Sequence, residues 1–141
     1  GFENSLLPLL EPRHRAAMVL GSGGASQAVR YVLKKNGIPY TLVGRNRTSV
    51  IDLIYNELDV ATMQSHSIII NTTPLGTYPS IETYPPLPYE AIGPQHLLYD
   101  LVYNPAKTLF LQKGEERGAR IKNGEEMLVL QAEESWRIWN Q

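Results

Sequence analysis

The chain of 141 residues carries a formal net charge of −1, and 43% of its residues are hydrophobic. This length and composition suit one domain with its own core, and the balanced charge gives no indication of nucleic acid or an anionic membrane as partner. The sequence has no cysteine, which excludes disulfides and thiolate metal sites and agrees with a reducing cytoplasm. No apolar run approaches the roughly 20 residues that cross a bilayer. We therefore expect a single cytoplasmic domain.

The amino-terminal segment, residues 1–12, is predicted to form a short amphipathic helix. Phe2, Leu6 and Leu9 recur at helical spacing, and a proline at the end of the segment would stop the helix. We expect this helix to lie between domains, with these apolar side chains packed against another domain. The polar residues 13–15 then indicate a solvated linker.

A glycine-rich turn follows the apolar strand that is predicted over residues 16–20. It reads Gly21-Ser22-Gly23-Gly24-Ala25-Ser26, which matches the pattern G-x-G-x-x-G at the first two glycines and places Ser26 third. A helix predicted over residues 25–36 directs its free N–H groups and the positive end of its dipole at this turn. A strand, a glycine turn and a helix N-terminus together form a pyrophosphate site. A purely structural glycine turn is the alternative.

Two arginines follow a second strand, which is predicted over residues 40–43 and completes a right-handed β-α-β unit. The strand end reads Gly44-Arg45-Asn46-Arg47-Thr48. Dehydrogenases that use NAD usually carry Asp or Glu here, whereas an arginine suits the 2′-phosphate of NADP. The sequence therefore predicts NADP as cofactor, with Arg45 as the first candidate for the phosphate and Arg47 as the second. A solvated basic turn is the alternative.

A fully apolar run over residues 68–70 predicts a central parallel strand. It ends in Asn71-Thr72-Thr73-Pro74, whose amides and hydroxyls can hold a cofactor ribose or the nicotinamide at the carboxyl edge of the sheet. The other predicted elements are a turn or edge strand over 55–58, a helix over 60–66, a proline-rich loop over 78–94, a strand over 97–102, a helix over 107–117, a strand over 119–121 and a helix over 125–139. Together they predict a three-layer, Rossmann-like, doubly wound α/β fold, with a mostly parallel sheet and helices on both faces.

Five segments, in this order, resemble the C-terminal nucleotide-binding domain of shikimate dehydrogenases. They are residues 21–26, 44–48, 71–76, 100–105 and 123–132. The resemblance covers essentially the whole chain and implies reversible NADPH-dependent reduction of 3-dehydroshikimate to shikimate, in aromatic amino-acid biosynthesis. It also implies that the catalytic Lys and Asp belong to an N-terminal substrate domain that precedes residue 1. Residues 1–141 are therefore expected to bind NADP(H) without turning over the substrate, and no catalytic residue is expected among them.

The resemblance also implies roles for individual residues. Those implied for the cofactor are Gly21, Ser22, Gly23, Gly24, Ala25, Ser26, Arg45, Asn46, Arg47, Asn71, Thr72, Thr73, Pro74 and Gly124. Within this set, Gly124 would offer its carbonyl to the nicotinamide amide. Tyr103 would reach the substrate carboxylate, and Gln131 would bond a substrate hydroxyl. Counting from the glycine turn gives the 2′-phosphate to Arg45, whereas matching the family's Asn-Arg-Thr triplet gives it to Arg47, and both assignments stay open.

Two other functions compete with this interpretation. One is a quinate/shikimate-type dehydrogenase that uses NAD, which Arg45 disfavours, and the other is a non-catalytic nucleotide-binding module, which Tyr103 and Gln131 disfavour. The family often has Met at the position of Thr77, a departure that affects packing near the nicotinamide. The three histidines show no metal-ligand spacing, so we expect no metal site and place each at the surface or beside a strand. Asp100 fits either an acid or a structural hydrogen-bonding role.

Overall fold

The computed structural model describes residues 1–139, without the side chains of Gln131 and Trp139. The helices and strands, in chain order, are α1 (Phe2–Leu6), β1 (Ala17–Leu20), α2 (Gly24–Lys35), β2 (Tyr40–Gly44), β3 (Leu53–Ile54), α3 (Val60–Ser65), β4 (Ile68–Asn71), β5 (Leu97–Asp100), α4 (Leu109–Glu116), β6 (Arg120–Lys122) and α5 (Glu125–Trp139). Short 3-10 turns occur at Leu7–Leu9, Tyr55–Glu57 and Tyr89–Ala91. The predicted elements are therefore present, with ends that differ by a few residues.

Over residues 1–139, six parallel strands form one sheet in the order β3-β2-β1-β4-β5-β6. The chain leaves β1 in one direction to β2 and later returns to its other side with β4, so the strand order reverses between β1 and β4. Open α/β sheets bind ligands at this reversal, beyond the carboxyl ends of the strands. The topology thus places the predicted site residues after β1, β2, β4 and β5 on one edge of the sheet.

Two hydrophobic clusters, one on each face of the sheet, account for the three layers. Alternate residues of a strand point to opposite faces, and β1 shows this alternation. Ala17 and Val19 belong to the cluster that also contains residues of α1 and α2, whereas Met18 and Leu20 belong to the cluster with residues of α3 and α4. Because β1, β4 and β5 are buried throughout, their sequences are continuous apolar runs rather than alternating ones. The structure therefore confirms the predicted doubly wound fold.

Helix α1 packs inside this domain. Leu6 is fully buried and Phe2 is 8% exposed, and the Phe2 ring meets the Tyr99 ring edge-on at 5.0 Å between centroids. The hydroxyl groups of Ser5 and Tyr99 form a hydrogen bond beneath the helix. The prediction that Phe2 and Leu6 face another domain is wrong, because β5 presents Tyr99 to this helix and α1 covers it.

A further expectation about burial is wrong. His14, placed in a solvated linker, is only 5% exposed, and the Glu11 N–H donates to its Nδ1 at 2.9 Å. On α2, Ala28 is exposed. The helix instead turns Ser26, Val29 and Leu33 inward, because these positions share one helical face.

Candidate functional site

Gly21 follows β1 and is required by the backbone itself. Its φ of +102° lies in the region that side chains rarely adopt, and a Cβ there would stand 2.8 Å from Thr72 Oγ1. Gly23 and Gly24 are different, since neither has a positive φ and an added Cβ at either would meet nothing within 4 Å. The fold therefore explains only the first glycine, and the other two leave open space in front of α2.

The N-terminus of α2 faces this space. Gly23 is its N-cap and offers no side chain, and the Gln27 N–H donates to the Gly23 carbonyl at 3.2 Å. The N–H groups of Gly24, Ala25 and Ser26 precede that bond and have no acceptor within the helix. With the helix dipole they favour an anion. The Ser26 side chain is fully buried, so this residue can reach such an anion only through its backbone.

Two clefts open at this edge of the sheet, one on each side of the switch point. The first has a volume of about 400 Å³ and is lined by Gly21, Ser22, Gly44, Arg45, Asn46, Thr48, Ile51, Tyr55, Thr73, Pro74 and Leu75. The second has a volume of about 500 Å³ and is lined by Ala25, Thr72, Thr73, Pro74, Thr77, Tyr78, Leu101, Val102, Tyr103 and Asn104. Because Thr73 and Pro74 border both clefts, the two form one extended groove past the start of α2.

The two candidate arginines lie in different surroundings. Arg45 is exposed and lines the first cleft, and no ion pair to it occurs among residues 1–139. Arg47 instead forms an ion pair with Glu57, whose Oε1 also accepts the Ile54 N–H at 2.8 Å. The Arg47 guanidinium and this N–H lower the pKa of Glu57, the backbone bond having the larger effect. The structure therefore leaves Arg45 as the cation available to a ligand in the first cleft.

The floor of the first cleft is partly apolar. Ile51 is buried there, and the Tyr55 ring lines the cleft beside Arg45. Burial raises the pKa of Tyr55 to about 12, and the nearby positive charge of Arg45 opposes this only in part. The Tyr55 hydroxyl is therefore neutral at physiological pH, and its ring supplies a flat surface beside a guanidinium. A planar heterocycle is suited to such a surface.

In the loop after β4, one residue supports the cleft from behind and the others line it. The Asn71 side chain is fully buried and bonds within the loop, so it supports the cleft from behind rather than lining it. The Thr72 hydroxyl donates to the Leu20 carbonyl at 2.6 Å, which ties the loop to the end of β1. Thr73 and Pro74 line the clefts as predicted. Of the four residues expected at this point, three border the groove.

Gly124 stands where two segments of main chain approach each other. An added Cβ would lie 2.0 Å from the Leu101 carbonyl oxygen, and the Gly124 N–H donates to Val102 O at 3.2 Å. Its own carbonyl accepts the Leu128 N–H at 3.0 Å and begins α5. Close approach thus explains this glycine, and a contact between its carbonyl and a nicotinamide stays a prediction. Tyr103 lines the second cleft, whereas the Gln131 side chain lies outside the described residues.

Several lining residues were missed from the sequence. They are Gly44, Thr48, Ile51, Tyr55 and Leu75 in the first cleft and Thr77, Tyr78, Leu101, Val102 and Asn104 in the second. Most of them directly follow a predicted strand, so their position was a usable signal. Ile51 and Tyr55 instead fall in a stretch without clear periodicity, where a two-residue strand and a 3-10 turn give no sequence pattern.

Metal and membrane sites find no support in the described part of the chain. Residues 1–139 contain no group of three or more His, Asp or Glu side chains that could hold a metal ion. None of the helices over these residues combines the length and apolar character that a transmembrane span requires.

Comparison with known proteins decides the family. No protein-family model matches the chain. It is 38% identical over 154 residues to the shikimate dehydrogenase (NADP(+)) of Caldicellulosiruptor bescii, an alignment that covers 99% of this chain and 53% of that protein. A crystal structure of a chorismate mutase/shikimate 5-dehydrogenase fusion protein from Clostridium acetobutylicum is 36% identical with a TM-score of 0.79, over 99% of this chain and 52% of that one. The chain belongs to the shikimate dehydrogenase family.

The family relationship extends over the whole chain but not over the whole relatives. Shikimate 5-dehydrogenase from Thermus thermophilus, crystallised with NADP(H) and shikimate, matches with a TM-score of 0.80 at 25% identity, over 98% of this chain and 54% of that one. The chain thus spans about half the length of the family members that it matches. The shared half is the α/β domain with the glycine turn.

Proposed function

We propose that this chain is the NADP(H)-binding domain of a shikimate dehydrogenase. The observation that carries the proposal is Arg45, an exposed cation in the first cleft, beside the open N-terminus of α2. The ligand would lie along the groove with its 2′-phosphate at Arg45, its pyrophosphate at Gly23, Gly24 and Ala25, and its nicotinamide half in the second cleft. Two clefts joined past a helix N-terminus suit an extended dinucleotide with an anionic centre.

The choice between the arginines follows from their partners. Arg47 would have to leave Glu57 before it could bind phosphate, whereas Arg45 would lose only contacts with water. A guanidinium offers two parallel N–H donors to phosphate oxygens and can stack on adenine. Arg45 therefore discriminates NADP from NAD in this proposal, and Asn46 lies next to the same phosphate.

The whole protein would catalyse reversible reduction of 3-dehydroshikimate to shikimate. When bound, NADPH supplies the hydride, and Tyr103 and Gln131 of this chain would hold the substrate at the nicotinamide. Hydride transfer needs its two carbons held at about 3–3.5 Å and a proton donor for the forming alcohol. We assign that donor to a substrate domain in the other half of the protein, so the present domain binds the cofactor and does not turn over.

Part of the α5 surface is consistent with such a second domain. Leu128, Val129 and Ile138 on this helix are 41%, 49% and 65% exposed, and exposed large apolar side chains are common at interfaces. In this proposal residues 1–141 form one domain, α1 packs within it and connects it to the substrate domain, and the enzyme works in the cytoplasm. It requires neither a membrane nor a nucleic acid.

Calorimetric titration with NADP⁺ and NAD⁺ tests the cofactor assignment. We expect the wild-type chain to prefer NADP⁺, and Arg45→Gln to lose about 10- to 100-fold in NADP⁺ affinity, the value of one or two charge-assisted hydrogen bonds. NAD⁺ affinity should stay within about twofold of wild type. Arg47→Gln is the matched control and should change NADP⁺ affinity less.

Three outcomes would contradict the proposal. They are a preference of the wild-type chain for NAD⁺, a larger loss from Arg47→Gln than from Arg45→Gln, and equal losses of both nucleotides in Arg45→Gln. The activity claim is tested separately, by mixing the chain with NADPH and 3-dehydroshikimate. Substantial oxidation of NADPH by residues 1–141 alone would show that the catalytic groups are not confined to the other half.

A further inference from the structure

A buried polar cluster lies behind the second cleft, and the cofactor contacts proposed above do not use it. Its centre is Asp100, fully buried at the carboxyl end of β5. The Asp100 carboxylate accepts three hydrogen bonds, from the Thr108 hydroxyl at 2.6 Å, from the Val102 N–H at 3.0 Å and from Asn71 Nδ2 at 3.1 Å. Asn71 is fully buried and Thr108 is 1% exposed. The carboxylate is therefore held from three separate segments of the chain.

This cluster joins the two walls of the second cleft. On the β4 side, Asn71 Oδ1 accepts the Thr73 N–H at 3.1 Å and the Thr73 hydroxyl at 2.7 Å. On the β5 side, the Val102 N–H bonds the carboxylate directly, and Val102 precedes Tyr103. Asn71 and Asp100 are partners in the register of β4 and β5. Thr73 and Val102, which line opposite sides of the cleft, thus share one anchor.

Helix α4 supplies the third attachment. Thr108 is its N-cap, and its hydroxyl oxygen accepts the Leu111 N–H at 3.4 Å while its proton goes to Asp100. Thr108 borders neither cleft. A change at Thr108 can therefore reach the groove through the carboxylate, through the stability of α4 or through the turn at Gly76, which faces the Thr108 side chain.

We propose that Asp100 is a positioning residue that sets the spacing between the Thr73 loop and the Val102 loop, and so the shape of the cleft for the nicotinamide half of the cofactor. This inference rests on the proposed function. It makes Asp100 neither a general acid nor a ligand of the cofactor, because its carboxylate is fully buried and bonded within the protein.

The protonation state of Asp100 agrees with this role. Burial raises the pKa of Asp100 to about 6, although the bonds from Thr108, Val102 and Asn71 act in the opposite direction. At neutral pH the carboxyl is therefore mostly ionised and can accept all three bonds. A fully satisfied buried network holds its members rigidly, which a cleft for one half of a dinucleotide requires.

Two ligands of different length separate positioning from a general loss of stability. NADP⁺ would occupy both clefts, whereas 2′,5′-ADP carries only the adenosine half and the 2′-phosphate. Thr108→Val removes the hydroxyl that donates to Asp100. We expect this variant to lower the affinity for NADP⁺ about three- to tenfold, the value of one buried hydrogen bond. Its affinity for 2′,5′-ADP should stay within about twofold of wild type. Thr108→Ser keeps the hydroxyl and should restore NADP⁺ binding.

Asp100→Asn is the second variant, in case Thr108→Val does not fold. The isosteric amide keeps one acceptor oxygen, so we expect the same selective loss of NADP⁺. In ¹H–¹⁵N spectra without ligand, the amides of Thr73 and Tyr103 should both shift in this variant. Ser67→Ala is the matched control, since it removes a partly buried 2.9 Å hydrogen bond at the opposite edge of the sheet. It should change the affinity of neither ligand.

The outcomes are distinguishable. Equal weakening of both ligands, or no weakening in either variant, would overturn the positioning role, as would shifts confined to the β5 side of the cleft. Failure of the wild-type chain to bind either ligand would instead overturn the proposed function. The ligand-free spectra would still report whether Asp100 links the two loops.

Discussion

Alanine substitutions in the glycine turn separate what the fold needs from what a ligand needs. At Gly21, φ is +102° and a Cβ would stand 2.8 Å from Thr72 Oγ1. That hydroxyl donates to the Leu20 carbonyl at 2.6 Å, so it cannot turn away without losing the bond. The backbone strain costs about 1–2 kcal/mol and the hydrogen bond about 1 kcal/mol. Gly21→Ala should therefore lower Tm by about 4–12 °C in a domain of this size.

Gly23→Ala and Gly24→Ala should behave in the opposite way. An added Cβ at either position meets nothing within 4 Å, and Gly24 is the first residue of α2. At a compatible backbone position, replacing Gly by Ala stabilises by about 0.4–1 kcal/mol, so Gly24→Ala should hold or raise Tm. The new methyl groups would occupy the space proposed for the pyrophosphate. We expect NADP⁺ affinity to fall at least about tenfold, or about 1.4 kcal/mol.

Melting by circular dichroism and titration calorimetry with NADP⁺ supply both readouts on each variant. Gln27→Ala, one turn further along α2 at an exposed position, is the control and should change neither Tm nor affinity appreciably. A stable Gly24→Ala protein with wild-type affinity for NADP⁺ would refute the proposal that the pyrophosphate binds at this turn. An unchanged Tm in Gly21→Ala would refute the assignment of backbone strain to the first glycine.

Two further predictions concern stability. Gly124→Ala brings a Cβ to 2.0 Å from the Leu101 carbonyl oxygen, and we expect a loss of about 3 kcal/mol or more in urea unfolding; a wild-type midpoint would contradict this packing. Because the pKa of Asp100 is about 6 in the folded state against an ordinary 3.8, its stabilising contribution is complete below pH 3.8 and falls by about 3 kcal/mol as pH rises through 6. Burial and then Arg13 lower the pKa of His14 below 6.5, so its contribution is present above pH 6.5 and is lost as pH falls. Urea unfolding across about pH 4 to 8 gives the slope of the free energy of unfolding against pH. Relative to wild type, this slope should change in opposite directions in Asp100→Asn and in His14→Gln, and unchanged slopes would disprove both assignments.

The positions of the buried strands along the chain could be predicted because each is a continuous apolar run that ends at glycine or polar residues. The packing of α1 could not, since the spacing of Phe2 and Leu6 shows only that one helical face is apolar. Which surface covers that face depends on Tyr99, a residue far along the chain that also bonds Ser5. His14 was misplaced for a similar reason, because the burial of a single polar residue outside a helix or strand leaves no local sequence pattern.

The assignment of the phosphate arginine shows a second limit. The sequence ranked Arg45 before Arg47 but left both assignments open, since both residues follow the same strand. They differ because Arg47 pairs with Glu57, which lies ten positions further along the chain in a stretch without periodicity. Its carboxylate bonds the backbone of Ile54 and then holds Arg47. A contact made by a 3-10 turn is invisible to a search for helices and strands.

The ends of the strands show why such a site can be predicted only in part from the sequence. At both β4 and β5, the last strand residue is a buried polar group, Asn71 or Asp100, and the residues after it line the groove. Sequence alone groups the two kinds together, because each is polar and each follows an apolar run. Burial separates them physically, since a buried amide or carboxylate must form its hydrogen bonds with neighbouring groups of the protein, both side chains and main chain. The supporting residue therefore fixes the loop, and the loop backbone and the next side chains, such as Thr73 and Tyr103, remain for the ligand.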